Sequence, residues 1–173
     1  MSEHDDNITF IENAEDKPYL KTPLFNVCMR LFHASRHYRK VVLTACDHIS
    51  YLCLAGLEGY KLPHGMSGAN AGIPWNIIGI ARNRGQPDAW CEIMINPVIT
   101  ARSKAMIESE SNCGSIRLAN PIRVQRHAWI NVDWYDIKGV LHEGWLFDRN
   151  RGGLPIQHEV DHNNGCLITD RAV

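Results

Sequence analysis

The sequence has no C-x-x-C pair, although it contains six cysteines at irregular positions: Cys28, Cys46, Cys53, Cys91, Cys113 and Cys166. That scatter argues against a secreted disulfide framework and for a reduced chain, hence a cytoplasmic one. No apolar run approaches the length of a membrane span, about 20 residues. Charge of either sign is almost balanced, with a formal net of -1, which argues against a general nucleic-acid binder. Met1 to Lys17 is acidic and polar, so it reads as neither a signal peptide nor a transit peptide. There are no internal repeats and no low-complexity segments. What remains is ordinary globular material: 173 residues, 45% hydrophobic and 21% charged. We read one domain over 1–173 with a sizeable core, its first 17 residues a loosely held acidic arm.

Pro18 to Val27 carries Pro23 and should be extended or irregular. From about Ser35 to Gly56 the pattern turns helical: Val41, Val42, Ala45, Ile49, Leu52 and Cys53 recur at three- and four-residue steps. Cys46 and Cys53 read as small core residues there. Gly56 and Gly59 should end the helix. Arg30, Arg36, Arg39 and Lys40 read as a solvated face rather than an RNA surface. His33, His37 and His48 read as surface or capping residues, since no carboxylate or cysteine pattern accompanies them. Tyr60 to Gly72 reads as a loop, with His64 within it. Strands are expected over 75–82, 90–100, 122–127, 129–137 and 140–147, with Pro97 marking an edge strand or a strand end. A long early helix, strands in the middle and a helix at the end make an α+β fold, with antiparallel or mixed sheets.

The chemistry is concentrated in Gln157-His158-Glu159-Val160-Asp161-His162, which reads H-E-x-x-H. On a helix, His158 and His162 stand one above the other, so two imidazoles can grip one metal ion. Glu159 lies beside the first of them, where a carboxylate can take a proton from water at a metal. Pro155 fits the first turn of this helix, and Asn164-Gly165 should stop it. The five-residue pattern alone also occurs by chance in long helices. A catalytic site of this type needs about three protein ligands. Downstream, Cys166 and Asp170 sit too close to the helix end to loop back, so a third ligand is expected from upstream, with a lone cysteine the best candidate. Cys113 differs from the other cysteines in lying in a polar, turn-forming stretch, between Asn112 and Gly114.

At these residues the sequence resembles the peptide deformylase family. Gln157 to Gly165, trailed by Leu167 and Asp170-Arg171, matches the family's third motif, Q-H-E-x-D-H-x-x-G with L-x-x-D-R. Ser111-Asn112-Cys113-Gly114-Ser115 matches its second motif, E-G-C-L-S, in the cysteine and the last serine. Asn70 to Ile77 aligns with the first motif, G-x-G-L-A-A-P-Q, and Ile95-Asn96-Pro97 is the family's short I-N-P sequence. The resemblance covers roughly Leu24 to Arg171, and it implies a metal-binding helix enclosed by sheets. It implies Cys113, His158 and His162 as ligands of one divalent ion: Fe2+ natively, with Zn2+, Ni2+ or Co2+ as alternatives. It implies Glu159 as general acid–base and the backbone N–H of Gly114 as an oxyanion donor. The motif-one glutamine falls on Ile77, or on Asn76 with a one-residue deletion, and Asn76 is then a second oxyanion donor. Gly72 and Ile73 are expected to bind substrate, with Ile73, Leu154 and Ile156 walling an apolar methionine pocket. Asp161 and Gln157 are expected not to be ligands. Asp161 either supports the site from behind or lies on the helix surface.

The implied reaction removes the formyl group from N-formylmethionyl peptides of nascent chains and releases formate, with the ribosome a further partner. Many bacterial relatives carry an extra C-terminal helix; a chain running to Val173 resembles the short forms of phages and organelles and is expected to lack it. Two alternatives stand beside this reading. One is an inactive deformylase-like metal-binding module that acts through a partner. The other is an H-E-x-x-H metallopeptidase, for which no downstream ligand is available.

Overall fold

The computed structural model describes residues 21–55, 64–116 and 120–173. The described chain is α+β, with a five-stranded and a two-stranded antiparallel sheet. A short helix α1 (Met29–Ala34) leads into the long α2 (Arg36–Ala55). The break is Ser35, which is extended and accepts the Tyr38 N–H on its Oγ at 3.2 Å, a side-chain cap for the first turn of α2. The helix expected from Ser35 is therefore present, but it is preceded by a turn of helix that the sequence did not signal. Gly56 and Gly59, its expected stop, lie outside the described residues, as does the acidic arm.

The large sheet has the order β1-β2-β3-β6-β7, formed by Gly65–Ser67, Ile77–Arg82, Trp90–Arg102, Trp129–Tyr135 and Leu141–Asp148. The small sheet pairs β4 (Met106–Ser111) with β5 (Ile122–His127). Helix α3 (Gly153–Asn163) packs on the opposite face of the large sheet from α2.

Strand β2 shows why the sheet is covered on both sides. Ile77 joins the α2 core with Val42, Cys46, Ile49 and Cys53, whereas Ile78 and Ile80 join the α3 core with Ile156 and Val160. Alternation along a strand dictates this split. Gly79 points at α2, and a Cβ there would stand 2.9 Å from Ile49 Cγ2, so only glycine lets the helix come this close. Of the expected α2 stripe, Val41 is exposed.

Pro97 does not end a strand, nor does it mark an edge. β3 runs through it in the centre of the sheet, and the register with β6 shifts between Ile95 and Val98. At this bulge the missing N–H leaves no gap in the ladder. Asn96 supplies the turn, with φ +53, and its side chain clasps the Val27 backbone, accepting from N at 2.7 Å and donating to O at 2.8 Å. The I-N-P sequence thus has a structural use.

Helix α3 begins after Gly152 (φ 85), with Pro155 in its first turn where no N–H is needed. It ends as expected at Asn164-Gly165. Gly165 has φ +77; its N–H reaches His162 O at 3.0 Å, and Cys166 N–H reaches Asp161 O at 2.8 Å. These two bonds are the Schellman stop.

Candidate metal centre

His158 and His162 project from consecutive turns of α3, with their Nε2 atoms 3.1 Å apart and their rings edge to face. Cys113 arrives on the segment after β4, its Sγ 3.3 Å from His162 Nε2. The three ligand atoms all lie within 4.8 Å of one another. Cys113 is seated by a small apolar cluster, Ala69, Ile116, Val124, Leu167 and Ile168, which joins the β4–β5 sheet to the end of α3.

The donor chemistry fits a divalent transition metal. Burial holds His158 well below its ordinary value, helped by His162 and Arg126, and it holds His162 down at about 4. Both rings are therefore neutral near pH 7 and offer lone pairs. Burial pushes the Cys113 thiol up to about 11, so the sulfur needs a cation beside it to become a thiolate. One sulfur and two imidazole nitrogens suit zinc, iron, nickel or cobalt.

Glu159 is buried between α3 and β1. Burial raises its carboxyl to about 8; Arg126 opposes the shift, Asp161 adds to it, and a Ser67 hydrogen bond again opposes it. Its Oε2 is buried with no hydrogen-bond partner. Gly65 makes this position accessible: a Cβ there would meet Glu159 Cγ at 2.8 Å and Oε1 at 2.9 Å.

The side chains between these groups anchor the helix. Asp161 accepts from Arg126 at 2.8 Å and from Arg171 at 2.8 Å, so it bridges β5 to the 3-10 turn after α3 rather than facing solvent. Arg126, only 4% exposed, also lies 3.3 Å from His158 Nδ1. Gln157 pairs with the backbone of His127 like a ladder residue, accepting its N–H at 2.9 Å and donating to its O at 3.0 Å. Asn163 donates to Ile77 O and to Asn76 Oδ1, both at 3.0 Å, and accepts from Ala69 N at 3.3 Å.

The expected site residues divide. Cys113, His158, His162 and Glu159 come together, and Gly114, beside Cys113, lines the cavity over them. The others do not join them. Asn76 has its amide committed to Asn26 Oδ1 at 3.0 Å and its carbonyl to Asn163, so it is a clasp and not a donor to the site. Ile77 is core. Gly72 is an exposed turn residue with φ +68, and Ile73 packs against the α2 core; neither lines the cavity. Leu154 does line it, whereas Ile156 is buried in the α3 core. These corrections share one cause. Strand β1 and the turn after it lie inside the segment expected to be loop, and they carry the residues beside the metal centre.

The missed residues are Gly65, Ser67 and Asn70. Asn70 lines the cavity, and its Oδ1 is buried without a partner. The signal was in the sequence. Aligned further upstream, Gly65-Met66-Ser67-Gly68-Ala69-Asn70 falls on the G-L-A-A-P-Q part of the first motif, and Asn70 then takes the glutamine position.

Fold and site together define a class: an α+β chain that presents a nitrogen–sulfur metal cradle and a buried carboxylate from one helix. Residues 58–173 match the polypeptide deformylase family. The peptide deformylase of Streptococcus pyogenes serotype M5 (strain Manfredo) is 36% identical over 85 residues, a match covering 48% of this chain and 41% of the relative. The chain thus spans less than half the length of the curated relatives that it matches. Among solved structures, a class I type b peptide deformylase from Acinetobacter baumannii, bound to Met-Ala-Ser, has a TM-score of 0.71 at 22% identity, covering 95% of this chain and 98% of the other. The Arabidopsis thaliana peptide deformylase 1B, in complex with an inhibitor, also has a TM-score of 0.71 at 19% identity, covering 95% and 81%. These two likenesses establish the fold. The chain belongs to the polypeptide deformylase family.

Proposed function

We propose that this chain is a metal-dependent peptide deformylase that hydrolyses the N-formyl amide of formylmethionyl peptides. The observation that carries this reading is the convergence of Cys113, His158 and His162 beside the buried carboxyl of Glu159. Cys113, His158 and His162 would hold one divalent ion. When bound, that ion supplies Lewis acidity and lowers the pKa of water. Fe2+ is our choice of native metal by family resemblance, with Zn2+, Ni2+ and Co2+ compatible with the same donors.

Glu159 holds and moves the proton. Its burial gives it a proton affinity suited to both tasks near neutral pH: accepting from water, then donating to the departing amine. The Gly114 N–H and the Asn70 amide donate to the developing oxyanion. Asn70 replaces the proposed Asn76 in this role because its side chain lies at the cavity and that of Asn76 does not. Arg126 and Asp161 hold His158 in place from behind the ring.

The test is formate release from formyl-Met-Ala-Ser by protein loaded anaerobically with ferrous or nickel ion, beside Glu159→Ala. Release that disappears in the variant supports the enzyme. No release from folded, metal-loaded protein overturns it in favour of an inactive metal-binding module, the reading favoured by the shorter amide at Asn70.

A further inference from the structure

The cavity above the candidate metal centre has a volume of about 840 Å³, and four arginines are among its lining residues. One wall is β4, where Ser109 and Ser111 face the same way and their hydroxyls lie 3.5 Å apart. The facing wall is built from the end of β2 and the β7–α3 turn, tied together by Arg82 Nη1 donating to Arg151 O at 2.8 Å. Leu154 and Pro155 are the apolar contribution of α3 to the lining.

Four arginines line the cavity, and two of them are neutralised: Arg82 by Glu92, and Arg126 by Asp161. Arg84 and Arg149 have no carboxylate partner among the described residues. Arg84 is nevertheless held in place, because its guanidinium meets the Nε2 of His64, another lining residue. Burial and Arg84 itself both hold His64 below its ordinary value, so it accepts as a neutral ring. On the opposite wall, Glu110 also lines the cavity; it is exposed on β4 and stands in register with Arg123 on β5. Arg84 and Arg149 therefore leave an excess of positive charge over the exposed carboxylate of Glu110 in the lining, on a chain whose net charge is -1. A cleft with an excess of one sign of charge concentrates ligands of the other, and a guanidinium matches a carboxylate bidentately.

We propose that Arg84 and Arg149 bind a carboxylate side chain of the substrate, so that the site selects formylated peptides with Asp or Glu within the first few residues after the formylated one. This rests on the deformylase reading for its substrate class. A free C-terminal carboxylate of a short peptide has the same chemistry, and amidated peptides separate the two.

The experiment compares formyl-Met-Ala-Asp-Ala-amide, its Lys and Ala counterparts, and formyl-Met-Ala-Ala-Ala with a free acid, on nickel-loaded protein. In parallel, the unformylated Asp and Lys peptides, fluorescein-labelled, are titrated by anisotropy. We expect KM and Kd for the Asp peptide to be about tenfold below those for the Lys peptide, the scale of one charged hydrogen-bonded contact. In the Arg84→Gln/Arg149→Gln variant the difference falls within twofold. Lys138→Gln removes a cation from an exposed turn far from the cavity walls and keeps the difference. Equal constants for the Asp and Lys peptides in the unaltered protein overturn the proposal, as does a preference that survives the double substitution. A preference for the free acid over the amide, without one for Asp over Lys, reassigns the carboxylate to the chain end and also overturns it. If no peptide releases formate, the deformylase reading fails, and the anisotropy titrations still decide whether the two arginines select a carboxylate.

Discussion

Glu159 combines two demands that conflict. The proposed reaction needs a carboxyl able to hold a proton near neutral pH, and burial supplies that by raising it from 4.5 to about 8. The same burial makes its ionised form costly. A carboxyl with a raised pKa in the folded state contributes stability below its unfolded value, and that stability is lost as pH rises through the folded value. Metal-free protein should therefore weaken between about pH 4.5 and 8, by up to about 5 kcal/mol from this group. Glu159→Gln removes the titration and also the proposed proton carrier. Its metal-free form should match the parent in urea midpoint at pH 5 and exceed it at pH 9, while formate release falls by about 10²–10⁴-fold. A variant with less stability than the parent at pH 9 would show that the carboxylate is paired there. Asn70 gives a second residue-scale outcome. Asn70→Ala should cost about 10²-fold or more in kcat if its amide donates to the oxyanion. Asn76→Ala should change stability and leave kcat close to the parent's. The reverse pair of results would return the donor role to Asn76.

At the scale of elements, the part of the molecule most legible in the sequence was α3. Its ligand spacing, Pro155 and Asn164-Gly165 fixed both its ends and its face, because each depends on local geometry. The central strands were legible for the same reason. Strand β1 was not, since three residues rich in glycine and serine carry no alternation of hydrophobicity, and their strand character comes from pairing with β2. That omission set the first motif further downstream and left Asn70, which lines the cavity, out of the candidates. Pro97 misled because only the fold reveals that it sits at a bulge. The docking of α3 was also illegible, being made by long-range polar contacts. Asn163 is the clearest of these: 1% exposed, it ties α3 to the turn after β1 and to the start of β2. Asn163→Ala strands the Ala69 N–H in a buried setting and takes one of two donors from the Ile77 carbonyl, which keeps the Gly68 N–H. It should cost about 2–3 kcal/mol, read from the denaturant midpoint with an unchanged m-value. A loss below half of that would mean that water replaces the amide.

At the scale of the whole molecule, the candidate metal centre draws its residues from both sides of the junction between the two sheets. Cys113 comes from the end of the β4–β5 sheet, and His158 and His162 come from the helix packed on the large sheet. Protein contacts across this junction include Gln157 on His127, Arg126 on Asp161 and His158, the Val173 N–H on Arg123 O, and the small cluster around Leu167. An ion held by all three ligands adds a further tie, and because the unfolded chain has no such cradle, loading should raise Tm, with about 2.7 kcal/mol added at a hundredfold excess over Kd. The proton balance gives the sharper test. At pH 8 the two imidazoles are already neutral and release nothing, whereas the Cys113 thiol, pushed up to about 11, must ionise to bind. Loading zinc into chelator-stripped protein carrying Glu159→Gln, which removes the neighbouring carboxyl that titrates at about 8, should therefore release about one proton per ion at pH 8, measured by calorimetry in buffers of different ionisation enthalpy. Cys113→Ser in that background should bind far more weakly and release close to none. A yield near zero with Cys113 intact would mean that the sulfur is not a ligand, and the cradle would then be only the histidine pair.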